Sequence, residues 1–387
     1  MDSYLLNTYP QPKAKFVQGE GVYLFDAEGN KYLDFLSGIA VVSLGHSNPQ
    51  LNKIISDQSS KLMHVSNYFE NEFTQKVASK INEKINISDD VHGNVFFTNS
   101  GAEANECALK MAKLYGENKR YKFLTALGSF HGRTIATLSA TGQSTKHEKF
   151  LPLPDYFDYF EINNIDSVKK LINDETVAVM LEVVQGENGV QICSNEFIEQ
   201  VQNLCIEHDL LLIVDEVQTG MCRTGEWFGF QNYSIRPDII TMAKALGNGF
   251  PVGACWVNNK VSNHVKPGDH GSTFGGNALA LSVVNEVFKI MEDQDLASKT
   301  ASLGQYFSEM LNSTGLFSEV RSSGLLIGCD VKPELNIDAN DVVQRAFDLG
   351  LVINATSAST IRIAPPLIIE KNHINEAVEI LKKSMAG

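Results

Sequence analysis

The sequence predicts an α/β fold in which a large, mainly parallel sheet lies between helices and a smaller α/β domain follows it. Short apolar runs alternate with stretches of helical periodicity from about residue 50 onward, which is typical of a parallel sheet covered on both faces. The pattern changes in the tail, where a second group of apolar runs begins near residue 324. A chain of 387 residues is long enough to form a large core and to divide into two domains.

The individual elements follow in order along the chain. Residues 20–36 alternate around the turn A-E-G-N, which predicts a β-hairpin. Buried strands are predicted at 94–98, 122–127, 177–184, 210–215 and 238–242, and the tail adds strands at 324–331, 351–354 and 360–364 with a helix over 370–385. We therefore predict an amino-terminal segment that packs with the small domain (1–45), a large domain (46–272) and a small carboxyl-terminal domain (273–387).

Composition and charge limit the classes of function. Thirty-two basic and 46 acidic side chains give a net charge of −14, which disfavours binding to nucleic acid or to anionic membranes. The sequence begins without a basic and apolar leader, and no window approaches 18 uninterrupted apolar residues. Six cysteines lie scattered without C-x-x-C spacing, as expected for reduced thiols. These features predict a soluble cytoplasmic protein.

An aspartate and a lysine provide the strongest indication of chemistry. Asp215 ends the apolar run L-L-L-I-V-D, and Lys244 follows 29 residues later in the small-residue loop T-M-A-K-A-L-G-N-G. A lysine amine can hold an aldehyde as an imine, and a buried carboxylate can keep a pyridine nitrogen protonated, so the pair suits pyridoxal phosphate chemistry. Taken singly, Asp215 could equally cap a helix and Lys244 could be a surface charge.

A capped helix start offers an anion site. In T-N-S-G-A-E-A-N-E (98–106), Ser100 and Glu103 fit a capping box. The free amides of Gly101 and Ala102 would then suit a cofactor phosphate. Judged by itself, the same segment could be an ordinary capped helix with no ligand.

Two further segments fit such a site. G-S-F-H-G-R-T (128–134) offers Phe130, which could stack on a flat ring, and Arg133, whose guanidinium matches a carboxylate. G-S-T-F-G-G-N (271–277) offers the hydroxyls of Ser272 and Thr273 among glycines that allow close approach of the backbone. Alone, Phe130 could be a core residue and Thr273 a turn residue.

Taken as an ordered set, these motifs resemble those of the class III pyridoxal-phosphate aminotransferases, and most closely the members that act on acetylornithine. The resemblance covers nearly the whole chain. It runs through D-F-L-S-G-I-A-V-V-S-L-G-H (34–46), N-S-G-A-E-A-N, F-H-G-R-T, Q-G-E-N-G, D-E-V-Q-T-G, A-K-A-L-G-N-G, H-G-S-T-F-G-G-N and I-R-I-A-P-P-L. It implies the fold type I architecture of pyridoxal-phosphate transferases.

The resemblance also implies roles at the cofactor. The lysine that matches Lys244 forms the imine with the cofactor aldehyde, and the aspartate that matches Asp215 pairs with the ring nitrogen. Gly101 and Ala102 would bind the phosphate, with Thr273 reaching in from a second subunit, which implies a homodimer with shared active sites. The full set of implied cofactor contacts is Gly101, Ala102, Phe130, Asp215, Glu216, Val217, Gln218, Lys244 and Thr273.

For the substrates, the resemblance implies that Arg362 takes the α-carboxylate of glutamate and 2-oxoglutarate, and that Glu187 covers Arg362 when the other substrate is bound. Arg133 and Ser272 match positions that hold acetylornithine. The expected reaction is a ping-pong transfer of the δ-amino group of acetylornithine to 2-oxoglutarate, in which the lysine also moves the proton. Ile39 stands where ornithine aminotransferases carry tyrosine, which argues against free ornithine.

Several alternatives remain open from the sequence. Succinylornithine, succinyl-diaminopimelate and 4-aminobutyrate are possible amino donors, and an aminomutase would use the same lysine and aspartate without an external acceptor. The chain departs from the commoner E-P-I-Q-G-E-G-G by E-V-V-Q-G-E-N-G and from A-L-G-G-G by A-L-G-N-G. Nucleotide-binding and hydrolase functions are disfavoured because no Walker lysine, G-x-G-x-x-G after a strand or G-x-S-x-G occurs. The nine histidines show no H-E-x-x-H or paired spacing, so no metal is predicted.

Overall fold

The computed structural model describes residues 4–85 and 92–386. Its largest sheet, here called the central sheet, has seven strands, six of which run in the same direction. Their spatial order is Gly93–Thr98, Gly253–Asn258, Ile239–Met242, Leu211–Asp215, Thr176–Leu181, Lys122–Ala126 and Phe157–Phe160. The predicted, mainly parallel sheet is thus confirmed. The sequence did not single out two of its strands, the antiparallel Gly253–Asn258 and the parallel edge strand Phe157–Phe160.

Both faces of the central sheet are buried. Along strand Leu211–Asp215, Leu212 and Val214 belong to one hydrophobic core, and Leu211 and Ile213 belong to another. Helix Gly101–Tyr115 contributes to the second core, and helix Asn195–Glu207 contributes to the first. Burial on both sides explains why this strand is apolar at consecutive positions, because alternation is expected only where one face meets water.

Two smaller sheets use the two ends of the chain. The amino-terminal sheet contains the predicted hairpin, preceded by one more strand and joined by a strand from the tail: Phe16–Glu20, Tyr23–Asp26, Lys31–Asp34 and Leu351–Val352. The carboxyl-terminal sheet is antiparallel throughout and has the order Phe317–Ser323, Leu326–Val331, Thr360–Ile363 and Asn354–Ala355. A short antiparallel pair, Val184–Gln185 and Gln191–Ile192, stands apart. The division into three domains stays a prediction.

The helices surround these sheets. Those of ten or more residues are Pro49–Ser59, Thr74–Ile85, Gly101–Tyr115, Asn195–Glu207, Ala278–Asp293, Leu296–Ser313, Ala339–Asp348 and Lys371–Met385. Shorter ones span Ser37–Ala40, Ile135–Ala140, Ser144–His147, Ile165–Leu171 and Asn259–Ser262. The last long helix confirms the prediction for residues 370–385. Within the described ranges, no helix combines the length and apolarity that a membrane crossing requires.

One departure from the common motifs, A-L-G-N-G, has structural partners. Asn248, in A-L-G-N-G, accepts a hydrogen bond at Oδ1 from the amide of Leu44 (2.7 Å) and donates from Nδ2 to the carbonyl of Gly45 (3.2 Å). Its φ of 47° is in the left-handed region, which asparagine tolerates better than most residues. Asn248 therefore ties the loop after Lys244 to the amino-terminal segment.

Candidate active site

Asp215 and Lys244 meet at the carboxyl edge of the central sheet. Strands Leu211–Asp215 and Ile239–Met242 are parallel neighbours, and Asp215 lies opposite Thr241 in their register. Lys244 comes two residues after the second strand and begins a short 3-10 turn, Lys244–Leu246. Carboxyl edges of parallel strands are where open α/β sheets bind ligands, so the topology brings together the two residues that the sequence singled out.

Asp215 is held by three hydrogen bonds in a buried position. Its side chain is 3% exposed. Oδ2 accepts from Asn105 Nδ2 at 2.8 Å and lies 2.7 Å from His131 Nδ1, and Oδ1 accepts from the amide of Val217 at 3.0 Å. A carboxylate oxygen has room for two hydrogen bonds, so Oδ1 keeps acceptor capacity for a ligand N–H group.

Lys244 is half-buried, and its amine makes no hydrogen bond or ion pair with any residue of the described ranges. Burial lowers the pKa of Lys244 to about 8, and the positive charge of Arg362 adds to this lowering. The negative charges of Glu187, Asp215 and Glu182 oppose it. A lysine with this pKa is partly neutral near pH 7, as a nucleophilic amine must be.

The start of helix Gly101–Tyr115 has the free amides expected of an anion site, but only half of the predicted capping box. Ser100 Oγ accepts from the amide of Glu103 at 3.2 Å, but the Glu103 carboxylate accepts from the amide of Asn99 at 2.8 Å. The reciprocal half of the predicted capping box is therefore wrong, because the carboxylate reaches one residue further back. The amides of Gly101 and Ala102 donate to no residue that the structure describes, as is usual for the first turn of a helix.

Glycine at position 101 leaves room for the side chain of Val217, which follows the end of strand Leu211–Asp215. A Cβ atom on Gly101 would lie 2.8 Å from Val217 Cγ1, closer than carbon atoms approach without displacement. A Cβ on Gly132 would similarly lie 2.9 Å from Ala102 Cβ. The helix start, the segment after Asp215 and the segment after Phe130 thus converge on one small volume.

Gln218 and Glu216 point to different places. Gln218 is 6% exposed, and its Oε1 is buried without a hydrogen-bond partner in the described structure. Glu216 instead accepts hydrogen bonds from Thr219 Oγ1 and from the amides of Gly229 and Phe230. Burial raises the pKa of Glu216 to about 7, and these hydrogen bonds oppose the rise. Its side chain is therefore engaged away from Asp215, and a contact of Glu216 with a cofactor stays a prediction.

Arg362 and Glu187 form an ion pair beside Lys244. Arg362 Nη1 donates to Glu187 Oε1 at 2.6 Å and to the carbonyl of Gly186 at 3.0 Å, and Nε donates to Asn354 Oδ1 at 3.2 Å. The Arg362 side chain is 1% exposed and that of Glu187 is 28% exposed. Burial alone would raise the pKa of Glu187, but the charge and hydrogen bond of Arg362 outweigh it and lower the pKa. Nη2 of Arg362 donates to no residue in the described ranges.

Phe130 and Arg133 lie at the same edge with different exposure. The amide of Phe130 donates to Glu182 Oε2 at 3.0 Å, and the ring is half-buried. Arg133 is exposed, with its guanidinium carbon 5.6 Å from the centre of the Phe130 ring. Among the described residues Arg133 has no carboxylate partner, so its charge is available to a ligand.

Ser272 and Thr273 are not brought next to Lys244 within one chain. Ser272 Oγ accepts from Asn99 Nδ2 at 3.3 Å and from the amide of Gly275 at 2.9 Å. Thr273 is exposed and lines a surface pocket with Asn99 and Glu103. Both residues therefore lie on the outer side of the helix start, and their proposed functional roles stay predictions.

Three residues near Asp215 were not predicted as site residues. Asn105 joins Asp215 to Thr241, whose Oγ1 donates to Asn105 Oδ1 at 2.7 Å. His131 is buried, and its Nε2 has no partner in the described part of the chain. Glu182 is buried under Phe130, and burial, helped by the charge of Asp215, raises its pKa well above the usual value. A polar Asn105 on the buried face of a helix was the one signal that could have been recognised.

Comparisons with known proteins show the family to which the chain belongs. The family model described as aminotransferase class III matches residues 6–385. The chain is 44% identical to the acetylornithine aminotransferase of Aquifex aeolicus, covering 98% of this chain and 99% of that protein. It is 41% identical to the acetylornithine aminotransferase of Archaeoglobus fulgidus, covering 98% and 97%. A Buchnera aphidicola protein named acetylornithine/succinyldiaminopimelate aminotransferase is 40% identical over 94% of this chain and 91% of its own.

Solved structures show the same fold. The ornithine aminotransferase of Toxoplasma gondii superposes with a TM-score of 0.92 at 30% identity, covering 99% of this chain and 92% of that one. The N-acetylornithine aminotransferase of Stenotrophomonas maltophilia gives a TM-score of 0.84 at 30% identity, covering 98% and 96%. The predicted fold class is therefore confirmed.

Proposed function

Because the chain belongs to the class III aminotransferase family, we propose that it transfers the δ-amino group of N2-acetyl-L-ornithine to 2-oxoglutarate. The products would be N-acetyl-L-glutamate 5-semialdehyde and L-glutamate, as in arginine biosynthesis. The names of relatives such as the Aquifex aeolicus protein support this substrate. The structural observation that carries the proposal is the Arg362–Glu187 ion pair beside Lys244. An arginine that pairs either with Glu187 or with a substrate carboxylate suits an enzyme that must accept two different amino acids.

The family implies pyridoxal 5′-phosphate as the cofactor, and the residues at the sheet edge fit it. Asp215 Oδ1 keeps acceptor capacity for a ring N–H, and the buried, unpartnered Gln218 Oε1 suits a ring hydroxyl. The unpaired amides of Gly101 and Ala102 suit the phosphate, and the ring of Phe130 suits a stacking contact. We propose that these residues hold the cofactor together with Val217 and Lys244. When bound, it would supply an aldehyde that takes up an amino group and a ring that accepts electrons.

Lys244 is proposed to move the protons. Its pKa, which burial lowers to about 8, leaves the amine close to the operating pH, where one group can serve as both base and acid. Lys244 Nζ would take the proton from the δ-carbon of acetylornithine. In the second half-reaction it would deliver a proton to the α-carbon of the glutamate skeleton. Asn105 and His131 would keep Asp215 oriented during both steps.

Arg362 and Glu187 are proposed to separate the two substrates. Glutamate and 2-oxoglutarate present an α-carboxylate near the reacting carbon, which Arg362 can bind once Glu187 is displaced. Acetylornithine presents only methylene groups there, so Glu187 stays on Arg362 and no buried charge is left unpaired. Leaving such a charge unpaired would cost about 3 to 5 kcal/mol, which is enough to require the pairing.

The other end of acetylornithine carries its α-carboxylate and acetamide. Arg133 is exposed and without a carboxylate partner in the described structure, and we propose that it binds that carboxylate. Ser272 is also proposed to hold acetylornithine, from a second subunit, because its own chain does not bring it next to Lys244. The amino donor could also be a succinylated one, since the related Buchnera aphidicola protein bears both names.

A homodimer is part of the proposal. Thr273 is exposed and the neighbouring Phe274 is 62% exposed, although both belong to a motif expected at the active site. A second subunit could cover this segment and receive Thr273 at its phosphate. All six cysteines are unpaired and buried, which supports the proposed cytoplasmic location.

The proposed function is tested by a panel of amino donors with the purified, cofactor-loaded enzyme. Acetylornithine, succinylornithine, ornithine, 4-aminobutyrate and succinyl-diaminopimelate are each supplied with 2-oxoglutarate, and glutamate is measured. We expect the highest kcat/KM with acetylornithine and a strict requirement for 2-oxoglutarate. A higher kcat/KM with another donor would reassign the substrate, and turnover without 2-oxoglutarate would indicate an aminomutase.

A further inference from the structure

The turn that carries Glu187 accepts hydrogen bonds from two arginines of the carboxyl-terminal sheet. This turn, residues 186–190, is here called the Glu187 turn. Arg362 donates to the carbonyl of Gly186 at its start. Arg321 donates to the carbonyl of Gly189 near its end, from Nε at 3.1 Å and from Nη2 at 3.0 Å. Each end of the turn is thus hydrogen-bonded to one arginine. Of the two arginines, only Arg362 is part of the proposed substrate site.

Arg321 is itself rigidly placed. Its Nη1 and Nη2 donate to the two oxygens of Asp330 at 2.6 and 2.7 Å, a two-point contact that fixes the plane of the guanidinium. Asp330 Oδ1 also accepts from Thr360 Oγ1 at 2.7 Å. Thr360 begins the strand that carries Arg362, so both arginines are anchored to the same sheet.

The sheet meets the Glu187 turn without an intervening side chain. Gly328 pairs with Arg362 across the sheet, and a Cβ atom on Gly328 would lie 2.5 Å from the carbonyl oxygen of Gly189. The backbone of the turn therefore lies directly on the sheet. Any change in its position would alter where Glu187 stands relative to Arg362.

The backbone of the turn requires such support. Gly189 has a φ of 77° and Val190 a φ of 58°. A β-branched residue at positive φ is a strained conformation, and strained residues persist only when their surroundings hold them. On the opposite side, Asn188 Nδ2 donates to Gln185 Oε1 at 2.9 Å. These contacts fix the backbone, so Glu187 can leave Arg362 only by moving its side chain.

We propose that Arg321 is a positioning residue that holds the Glu187 turn on the carboxyl-terminal sheet and thereby sets how well Glu187 covers Arg362. Arg321 contacts neither substrate nor cofactor in this role. It acts through Glu187 on the discrimination between acetylornithine and the dicarboxylic substrates. The inference rests on the proposed function of the Arg362–Glu187 pair and names a residue on which that pair depends.

The test is Arg321→Met in the loaded enzyme, compared with Arg345→Met. Arg345 also donates to a backbone carbonyl, that of Ser384 at 3.3 Å, so the control removes another carbonyl-bound arginine from a different part of the chain. We measure kcat/KM for the acetylornithine and glutamate half-reactions, and the affinity for glutarate, a dicarboxylate that cannot react.

The expected result for Arg321→Met is a shift of the acetylornithine-to-glutamate ratio toward glutamate by about tenfold, the loss expected for a hydrogen bond from a charged donor. Glutarate should bind more tightly, because Arg362 is covered less well. Arg321→Lys should give a smaller shift, since lysine can pair with Asp330 but lacks the planar fork. Arg345→Met should leave both quantities unchanged.

The decisive measurement is Arg321→Met in a Glu187→Ala background, which removes the side-chain acceptor that covers Arg362. If Arg321 acts through Glu187, the second substitution should add no further change to the ratio. Equal losses in both half-reactions, or a full additional change in that background, would overturn the proposal. If Arg321→Met fails to fold, the same comparison is made with Arg321→Lys.

This experiment separates the inference from the proposed function. A wild-type enzyme that does not turn over acetylornithine would contradict the proposed function. The Arg321 proposal would still be decided by glutarate, whose affinity must rise in Arg321→Met and must not rise further in the Glu187→Ala background.

Discussion

Glu187 covers Arg362 through a 2.6 Å contact between Oε1 and Nη1, while a second guanidinium nitrogen, Nη2, donates to no residue in the described ranges. Arg362 is thus paired with a carboxylate and still has a guanidinium nitrogen that can donate a hydrogen bond. An incoming carboxylate could engage Nη2 first and then displace Glu187 from Nη1. The pair would in this way exchange one partner for another without leaving Arg362 uncompensated.

Replacing Glu187 with alanine should expose Arg362 and shift the balance of the two half-reactions. We expect the glutamate half-reaction to gain over the acetylornithine half-reaction by about tenfold or more, because a hydrogen-bonded charge partner is lost. Single-turnover rates with each substrate measure this. Parallel changes in both rates would show that Glu187 does not act as the switch.

Arg133→Ala should affect the opposite substrate. The guanidinium of Arg133 is proposed to bind only the far carboxylate of acetylornithine, so kcat/KM for acetylornithine should fall by about a hundredfold, the upper range for a charged hydrogen-bonded contact. The rate with glutamate should change little. Equal losses with the two substrates would place Arg133 outside the substrate site.

The protein should tolerate a substitution of Glu182 that removes its charge, but not one that removes its hydrogen-bond acceptor. Burial and the charge of Asp215 raise its pKa well above the usual value, so the group is favoured in its neutral form, and its Oε2 accepts from the amide of Phe130. Glu182→Gln keeps an acceptor and should retain near wild-type stability and activity. Glu182→Ala leaves a buried amide unpaired and should lower the free energy of unfolding by about 1 to 3 kcal/mol. Chemical denaturation measures this, and a large loss in Glu182→Gln would mean that the carboxylate is ionised.

Lys244 in the cofactor-free protein should react as an amine with a lowered pKa. Burial lowers it to about 8, so its labelling by an amine reagent, followed by peptide mapping, should rise with pH and level off above about pH 9. The labelling of an ordinary lysine reaches its midpoint only at about pH 10.4. Glu187→Gln should shift the midpoint downward, because the charge of Glu187 opposes the lowering. A midpoint near that of ordinary lysine would contradict the described environment.

Much of the fold could be predicted because buried strands have a recognisable pattern of apolar residues in the sequence. Strands such as Leu211–Asp215 and Ile239–Met242 are buried on both faces and therefore read as continuous apolar runs. Strand Gly253–Asn258 was missed. Its pairing with Gly93–Thr98 joins segments far apart in sequence, and its glycine start continues the preceding glycine-rich loop, so no local pattern separates it.

In the site, too, local sequence patterns could be recognised, whereas contacts between distant residues could not. Asp215 and Lys244 stand at strand ends and could be recognised from the sequence. His131 and Asn105 matter because they bond to Asp215 across 84 and 110 residues of sequence, and only the folded chain brings them there. The partner of the Glu103 carboxylate was predicted wrongly for a related reason: sequence spacing does not determine whether a side chain turns to the amide of Ser100 or to that of Asn99.

The central claim is that Lys244 and Asp215 hold opposite ends of one pyridoxal 5′-phosphate molecule. The most direct test is to load the protein with the cofactor, reduce it with borohydride and map the labelled peptide by mass spectrometry. We predict a single pyridoxyl adduct on Lys244, no adduct in Lys244→Ala, and a shifted absorption band before reduction in Asp215→Asn. An adduct on another lysine, or a protein that stays colourless after loading, would contradict this claim.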